Sequence, residues 1–314
     1  MTKLVSIGVD VGGTNTDVGI VDREGKILSR KSLKTGEYLT AESFISQLCF
    51  EIKNLISDEE ILGIGIGAPN GNFFTGNIEF APNLRWKGII EVKNLMKKEF
   101  NCPIFLTNDA KAAAIGEMVF GKAKKMKNFI LLTLGTGLGS GIVVDGNLCY
   151  GHDGLAGEMG HTQAVFNGRE CGCGNKGCLE TYVSATGIKR TLFELLSRNI
   201  SETPLRDFSF NALNSKIITD FALQNDSYAL ESFDITARYL GIKLAEVVAY
   251  FRPEAIFFFG GLSQAGDLLL KPARNYMEKY LLPVYCGKIS LSISGLSQDA
   301  AILGAAAMIW KENL

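Results

Sequence analysis

The sequence predicts an α/β protein built as two successive sheet-and-helix halves. Short apolar strand patterns alternate with helices of three- and four-residue period, the mark of sheets covered by helices. The alternation stops at a basic loop, GKAKKMKN (121–128), and begins again after it. A length of 314 residues suits two domains at roughly 150 residues each. No clean internal repeat accompanies this duplication.

The first half opens with a buried strand, LVSIGVD (4–10), followed by DVGIVD (17–22) and KILSRKSL (26–33) on either side of the turn REGK. These three form a meander. In AESFISQLCFEIKNLI (41–56), Phe44, Ile45, Leu48, Ile52, Leu55 and Ile56 fall on one helical face, and the strand ILGIGIGA (61–68) follows. A helix over IIEVKNLMKKEF (89–100), a strand PIFLTN (103–108) and an alanine-rich helix DAKAAAIGEMVF (109–120) complete the half.

The second half starts with FILLTLGTGLGSGIVV (129–144), which carries no charge. It is shorter than the ~20 residues of a membrane-spanning helix and is interrupted by glycines, so it reads as two strands joined by a glycine loop. Further helices follow, among them DITARYLGIKLAEVVAYF (234–251), then a buried strand AIFFFG (255–260), another helix and a strand KISLSIS (288–294). The closing helix, DAAILGAAAMIW (299–310), has enough alanine to approach a neighbour closely.

Composition narrows the function. Lys and Arg number 32 against 33 Asp and Glu, with no long run of one sign, which argues against nucleic acid as partner. The start, MTKLVSIGVD, lacks the apolar core and cleavage site of a signal peptide, so a cytoplasmic protein with no membrane partner is expected. Cys49, Cys102, Cys149 and Cys286 are scattered and read as small apolar residues. The other three cysteines lie with His161 in HTQAVFNGRECGCGNKGCLE (161–180). Seven cysteines in a reducing compartment make a disulfide framework the weaker explanation of that cluster.

Three glycine turns follow strands. In DVGGTNT (10–16), Gly12 and Gly13 expose backbone N–H groups beside the hydroxyls of Thr14 and Thr16, a cradle for phosphate oxygens, and Asp10 can hold a hydrated Mg²⁺. The second turn, TLGTGLGSG (133–141), offers Thr133, Gly135, Thr136 and Gly137; the third, FGGLS (259–263), offers Gly260 and Gly261. Neither the GxxxxGK[ST] loop nor an early strand-GxGxxG-helix unit is present. Loops of this kind in both halves suit a nucleotide gripped between domains.

The order DVGGTNT (10–16), APNLRW (81–86), NDA (108–110), LGTGLGSG (134–141), GEMGH (157–161), CGCGNKGCLE (171–180) and FGGL (259–262) closely resembles the ROK family of sugar kinases and repressors, over essentially the whole chain. The resemblance implies a two-domain actin-like ATPase (ribonuclease H-like) fold with a central cleft. It implies a smaller N-terminal domain over 1–122 plus 296–314, and a larger C-terminal domain over 123–295 carrying the metal loop. With a first strand beginning at residue 4, the helix-turn-helix of the repressor branch is not expected.

The same resemblance assigns roles. By spacing alone Asp109 is an ordinary helix N-cap; the family match makes it the general base that accepts the sugar proton, with Asn108 orienting the hydroxyl. Asn83, Glu158, His161 and Glu180 match the sugar ligands, and Gly67 lets backbone approach the sugar. Asn70 stands where the family often has glycine. His161, Cys171, Cys173 and Cys178 supply one imidazole and three thiolates, a closed set suited to structural zinc, which would fix the His161 tautomer. His152 reads as a loop residue.

The resulting expectation is an ATP- and Mg²⁺-dependent hexokinase acting on a C6 hydroxyl, glucose first, with N-acetylglucosamine, N-acetylmannosamine, mannose or fructose as alternatives. A non-catalytic sugar-sensing protein of the same fold is the alternative from another class. A homo-oligomer, dimer or tetramer, is implied by the resemblance.

Overall fold

The computed structural model describes residues 3–296 and 299–312. The chain divides into two compact units, one of residues 1–126, 141–157 and 294–314, the other of 127–140 and 158–293.

In the first unit, β1 (Leu4–Val11), β2 (Thr16–Val21) and β3 (Ile27–Leu33) form the antiparallel meander. The helix α1 (Ala41–Leu55) is capped by Thr40, whose hydroxyl accepts from the Ser43 N–H at 3.2 Å. After it, β4 (Glu60–Ala68) joins β1 in parallel, Ile7 facing Ile64 and Asp10 facing Gly67. Phe44, Ile45, Leu48 and Ile52 of α1 are all buried against this sheet, as the periodicity requires.

A small sheet follows, of β5 (Gly71–Asn72), β6 (Asn77–Glu79) and β7 (Ile89–Ile90). The helix expected over 89–100 is shorter: Ile89 and Ile90 pair with Glu79 and Ile78, and α2 covers only Val92–Met96. Two adjacent β-branched residues favour the pleated surface over a helix start. The strand β8 (Ile104–Asn108) then pairs in parallel with β4 and runs directly into α3 (Asp109–Val119). The main sheet has the order β3-β2-β1-β4-β8.

The second sheet begins with β9 (Phe129–Leu134), β10 (Leu138–Val144) and β11 (Asn147–Leu148), so the uncharged stretch is two strands joined by a glycine loop. The boundary between units falls inside β10, after Ser140. Within the second unit, α4 (Ala185–Arg198), α5 (Ser215–Leu223) and α6 (Ser227–Phe251) precede β12 (Ala255–Phe259), which pairs in parallel with β9. Then α7 (Asp267–Tyr280) packs on α6, and β13 (Ser290–Ile293) completes the order β11-β10-β9-β12-β13.

The last helix, α8 (Ala300–Glu312), belongs to the first unit and packs on β1, β4 and α3. The approach is close because small residues line it. A methyl at Gly116 of α3 would lie 2.8 Å from the Gly304 Cα, and methyls at Gly8 or Gly65 would collide with the α8 backbone at Ile302 and Ala305. Glu117, fully buried near the end of α3, accepts from the Ser294 hydroxyl at 2.5 Å, the Lys122 N–H at 2.8 Å and the Gly295 N–H at 3.0 Å. These donors replace the hydration that a buried carboxylate loses.

Candidate active site and metal centre

The parallel strands β1, β4 and β8 end at one edge of the first sheet. Registers pair Asp10 with Gly67 and Ala68 with Asn108, and Asp109 follows as the first residue of α3. Carboxyl ends of parallel strands are where α/β sheets present ligand-binding groups. Gly67 is buried here, and a methyl on it would meet the Ala112 side chain at 3.4 Å and the Asp109 Cα at 3.7 Å.

The cap of α3 is Asn108, not Asp109. The Asn108 Oδ1 accepts from the Ala110 N–H at 2.9 Å and the Lys111 N–H at 3.4 Å, which leaves donation to its amide Nδ2. The Asp109 carboxylate accepts from the adjacent Ala110 N–H at 2.7 Å, and the residue is exposed at the sheet edge. Protein packed around it still raises its pKa by desolvation, against the lowering effect of that N–H.

Asp10 lies between Gly67 on one side and Asp17, its antiparallel partner, on the other. Burial, then the charges of Asp109 and Asp17, push its pKa up to about 7. A divalent cation relieves that kind of electrostatic frustration, so the residues fit Mg²⁺. Asp10 and Asp17 open on a hollow of about 430 Å³, lined also by Arg30, Lys31, Ser32 and Asp299.

The turn between β1 and β2 closes with the Gly12 N–H donating to the Asn15 carbonyl at 2.9 Å. Gly13 rests on the backbone of Asn83, an exposed residue, at a distance a side chain would not allow. Thr14 is exposed. Thr16 is fully buried with its hydroxyl 2.8 Å from that of Thr35. Asn70 takes φ 51°, the left-handed region that asparagine tolerates better than most residues, which explains how it stands in for glycine.

In the second unit, two glycine turns meet. Gly260 has φ 102° at the end of β12, and a methyl on it would lie 2.7 Å from the Leu134 carbonyl at the end of β9. Gly135 bonds across its turn to the Gly137 carbonyl at 3.1 Å, while the Thr133 hydroxyl accepts from the Gly139 N–H at 3.2 Å. Thr136 and Gly261 are exposed. A turn of this tightness with open backbone suits phosphate oxygens.

Glu158 and His161 sit on one 3₁₀ turn, the His161 N–H donating to the Glu158 carbonyl at 3.1 Å; both side chains are exposed. The ligand atoms of His161, Cys171, Cys173 and Cys178 all lie within 4.8 Å of one another. The Cys173 and Cys178 sulfurs are 3.6 Å apart, as are the Cys171 sulfur and His161 Nδ1. A tetrahedral zinc with bonds of ~2.3 Å needs sulfurs about 3.8 Å apart, so the set fits the ion. Donation from the Asn175 N–H lowers the Cys173 pKa to about 7, favouring the thiolate, while burial raises that of Cys171.

Glu180 joins this centre to the glycine turn. Its Oε1 accepts from the Cys171 thiol at 3.0 Å and lies 3.7 Å from His161 Nδ1; its Oε2 accepts from the Leu138 N–H at 3.4 Å. A methyl at Gly137 would lie 2.6 Å from that Oε2. His152 is an exposed loop residue.

Three groups escaped the sequence reading. Asp17 faces Asp10 across the hairpin, a pairing legible from the tight turn between them. Lys111 is buried and its Nζ donates to the Gly154 carbonyl at 2.7 Å; its signal was the one lysine in an alanine-rich helix. Arg169, beside the cysteines, is nearly buried. No helix among the described residues is long and apolar enough to cross a membrane.

The chain matches the ROK family over residues 6–312. It is 36% identical over 316 residues to a glucokinase of Thermotoga maritima, covering 100% of this chain and 99% of that protein. It is 31% identical over 308 residues to a xylose repressor of Bacillus spizizenii, covering 97% of this chain and 76% of the repressor. The structure of a ROK glucokinase from Streptomyces griseus, in complex with glucose and AMPPNP, superposes with a TM-score of 0.81 at 33% identity, over 98% of this chain and 99% of that one. The fold is accordingly the actin-like ATPase fold. A match of this extent, with relatives above 30% identity along their common length, makes the chain a member of the ROK family.

Proposed function

We propose that the chain transfers the γ-phosphoryl group of ATP to the C6 hydroxyl of a hexose, glucose being the first candidate. The observation that carries the reading is Asp109: a carboxylate at the end of β8, relieved of capping by Asn108 and raised in pKa by its surroundings. A carboxylate whose pKa is raised by desolvation holds a proton more readily than a free one, as a general base must. The full-length similarity to a glucokinase supports the choice of sugar.

Asp109 accepts the C6 hydroxyl proton as the hydroxyl oxygen bonds to the γ-phosphorus and the bridge to the β-phosphate breaks, releasing ADP. Asn108 Nδ2 orients the hydroxyl. Asn83, Glu158, His161 and Glu180 bond the remaining hydroxyls, and Gly67 admits the ring. The turns at Gly12, Gly13 and Thr14, at Thr133, Gly135, Thr136 and Gly137, and at Gly260 and Gly261 receive ATP. Bound Mg²⁺, held through Asp10, would neutralise phosphate charge. Zinc on His161, Cys171, Cys173 and Cys178 would fix one imidazole nitrogen and leave the other for the sugar.

The test is ADP release from ATP and Mg²⁺ with glucose, mannose, fructose, N-acetylglucosamine and N-acetylmannosamine separately. Release with glucose well above a no-sugar control supports the reading; release with none removes it. A second reading, a sensor that binds sugar without turnover, draws on the likeness to the xylose repressor. It is favoured if calorimetry finds sugar binding and the assay finds no ADP.

A further inference from the structure

We propose that Arg169 is a positioning residue that fixes the backbone beneath Glu180 and closes the base of the cysteine loop. The inference rests on the reading of Glu180 as a sugar ligand. The four candidate zinc ligands end at Cys178, two residues before Glu180. Residues 181 and 182 bond back to Cys178 and Leu179, and Arg169 ties the same stretch to α4.

Its main chain ties the two ends of the loop. The Gly177 N–H donates to the Arg169 carbonyl at 2.7 Å, and the Arg169 N–H donates to the Tyr182 hydroxyl at 2.9 Å. Its side chain, 11% exposed, lies with the guanidinium carbon 4.3 Å from the centre of the Tyr182 ring. From there Nη1 donates to the Thr181 carbonyl at 2.7 Å and the Gly187 carbonyl at 3.2 Å, Nη2 to the Thr191 hydroxyl at 3.0 Å, and Nε to Glu194 at 2.8 Å. One planar group thus links the residue after Glu180 to the first turns of α4.

Ser184 completes the attachment. It caps α4 by accepting from the Gly187 N–H at 2.9 Å and donates its hydroxyl to the Glu180 carbonyl at 2.7 Å. The carbonyls of Glu180 and Thr181 are both pinned to the start of α4, so the Glu180 carboxylate is aimed from a fixed base. Lysine cannot replace the arginine here, because an ammonium offers three donors at one point where a fork must reach several acceptors in a plane. Glu194 is 46% exposed, and a pair open to water contributes little.

The test compares Arg169→Lys, Thr191→Val and Glu194→Gln in the zinc-loaded protein. Sugar KM and ATP KM are read from ADP release, zinc loss from its capture by a chromogenic chelator, and folding from circular dichroism. For Arg169→Lys, sugar KM rises about tenfold with ATP KM within about twofold, and zinc leaves about tenfold faster, the scale seen when supports of a metal site are altered. Thr191→Val shifts both in the same direction by less, and Glu194→Gln leaves both unchanged.

A folded Arg169→Lys with wild-type sugar KM and zinc loss overturns the proposal. So does an equal rise in both KM values with a lowered melting temperature, since that marks a merely structural role. If Arg169→Lys does not fold, Thr191→Val decides by the same criteria. If no sugar is phosphorylated by the unaltered chain, the kinase reading falls, and zinc loss alone decides on Arg169.

Discussion

Asn108 and Asp109 divide two roles that adjacent polar residues at a helix start could share. Spacing cannot assign them, since either residue is a good cap; the hydrogen bonds give the cap to Asn108 and free the Asp109 carboxylate. Asp109→Asn should therefore lower kcat by about 10³-fold or more while calorimetry finds sugar affinity little changed. The pKa of Asp109 is raised, so its active, ionised form accumulates only as pH climbs past the ordinary carboxylate range. The kcat/KM profile should rise at a pH above that at which a free aspartate ionises, and a profile that rises at the ordinary carboxylate pKa would contradict the assignment. The same shift has a sign for stability: the native state holds this proton more tightly than the unfolded chain, so stability from this group is lost as pH rises through the shifted pKa. Above the pH at which kcat/KM levels off, Asp109→Asn should melt slightly above the unaltered protein.

At the scale of elements, the family resemblance marked His161 and the three cysteines as a candidate metal set, and their ligand atoms gather within 4.8 Å of one another. The attachment of their loop to α4 was not legible, because Arg169, Ser184 and Tyr182 carry no periodic signal. Elemental analysis should find about one zinc per chain, and Cys178→Ser should abolish it and raise sugar KM. The closing helix was legible as a close packer, and α8 meets β1, β4 and α3 through glycine and alanine. Gly65→Ala places a methyl against the Ala305 carbonyl and should destabilise by about 2 kcal/mol or more in urea denaturation. The helix expected over 89–100 failed where a tertiary partner prevailed: β6 captures Ile89 and Ile90, and no local pattern announces a two-residue strand.

At the scale of the whole molecule, the restart of the α/β pattern after the basic loop was visible in the sequence, and the chain passes between units at residue 126, inside that loop. The return of 141–157 to the first unit was not visible, since it occurs in the middle of β10 with no change in composition. The glycine turns were legible because tight turns and exposed N–H groups demand that residue; which carboxylates stand beside them depends on strand register, which brings Asp10, Asp17 and Gly67 into one row. Phosphoryl transfer to the sugar C6 hydroxyl is tested most directly by ³¹P NMR of the products from ATP, Mg²⁺ and glucose. A 6-phosphate signal growing in step with ADP is expected; ADP without sugar phosphate, or phosphate on another carbon, would contradict the proposed transfer.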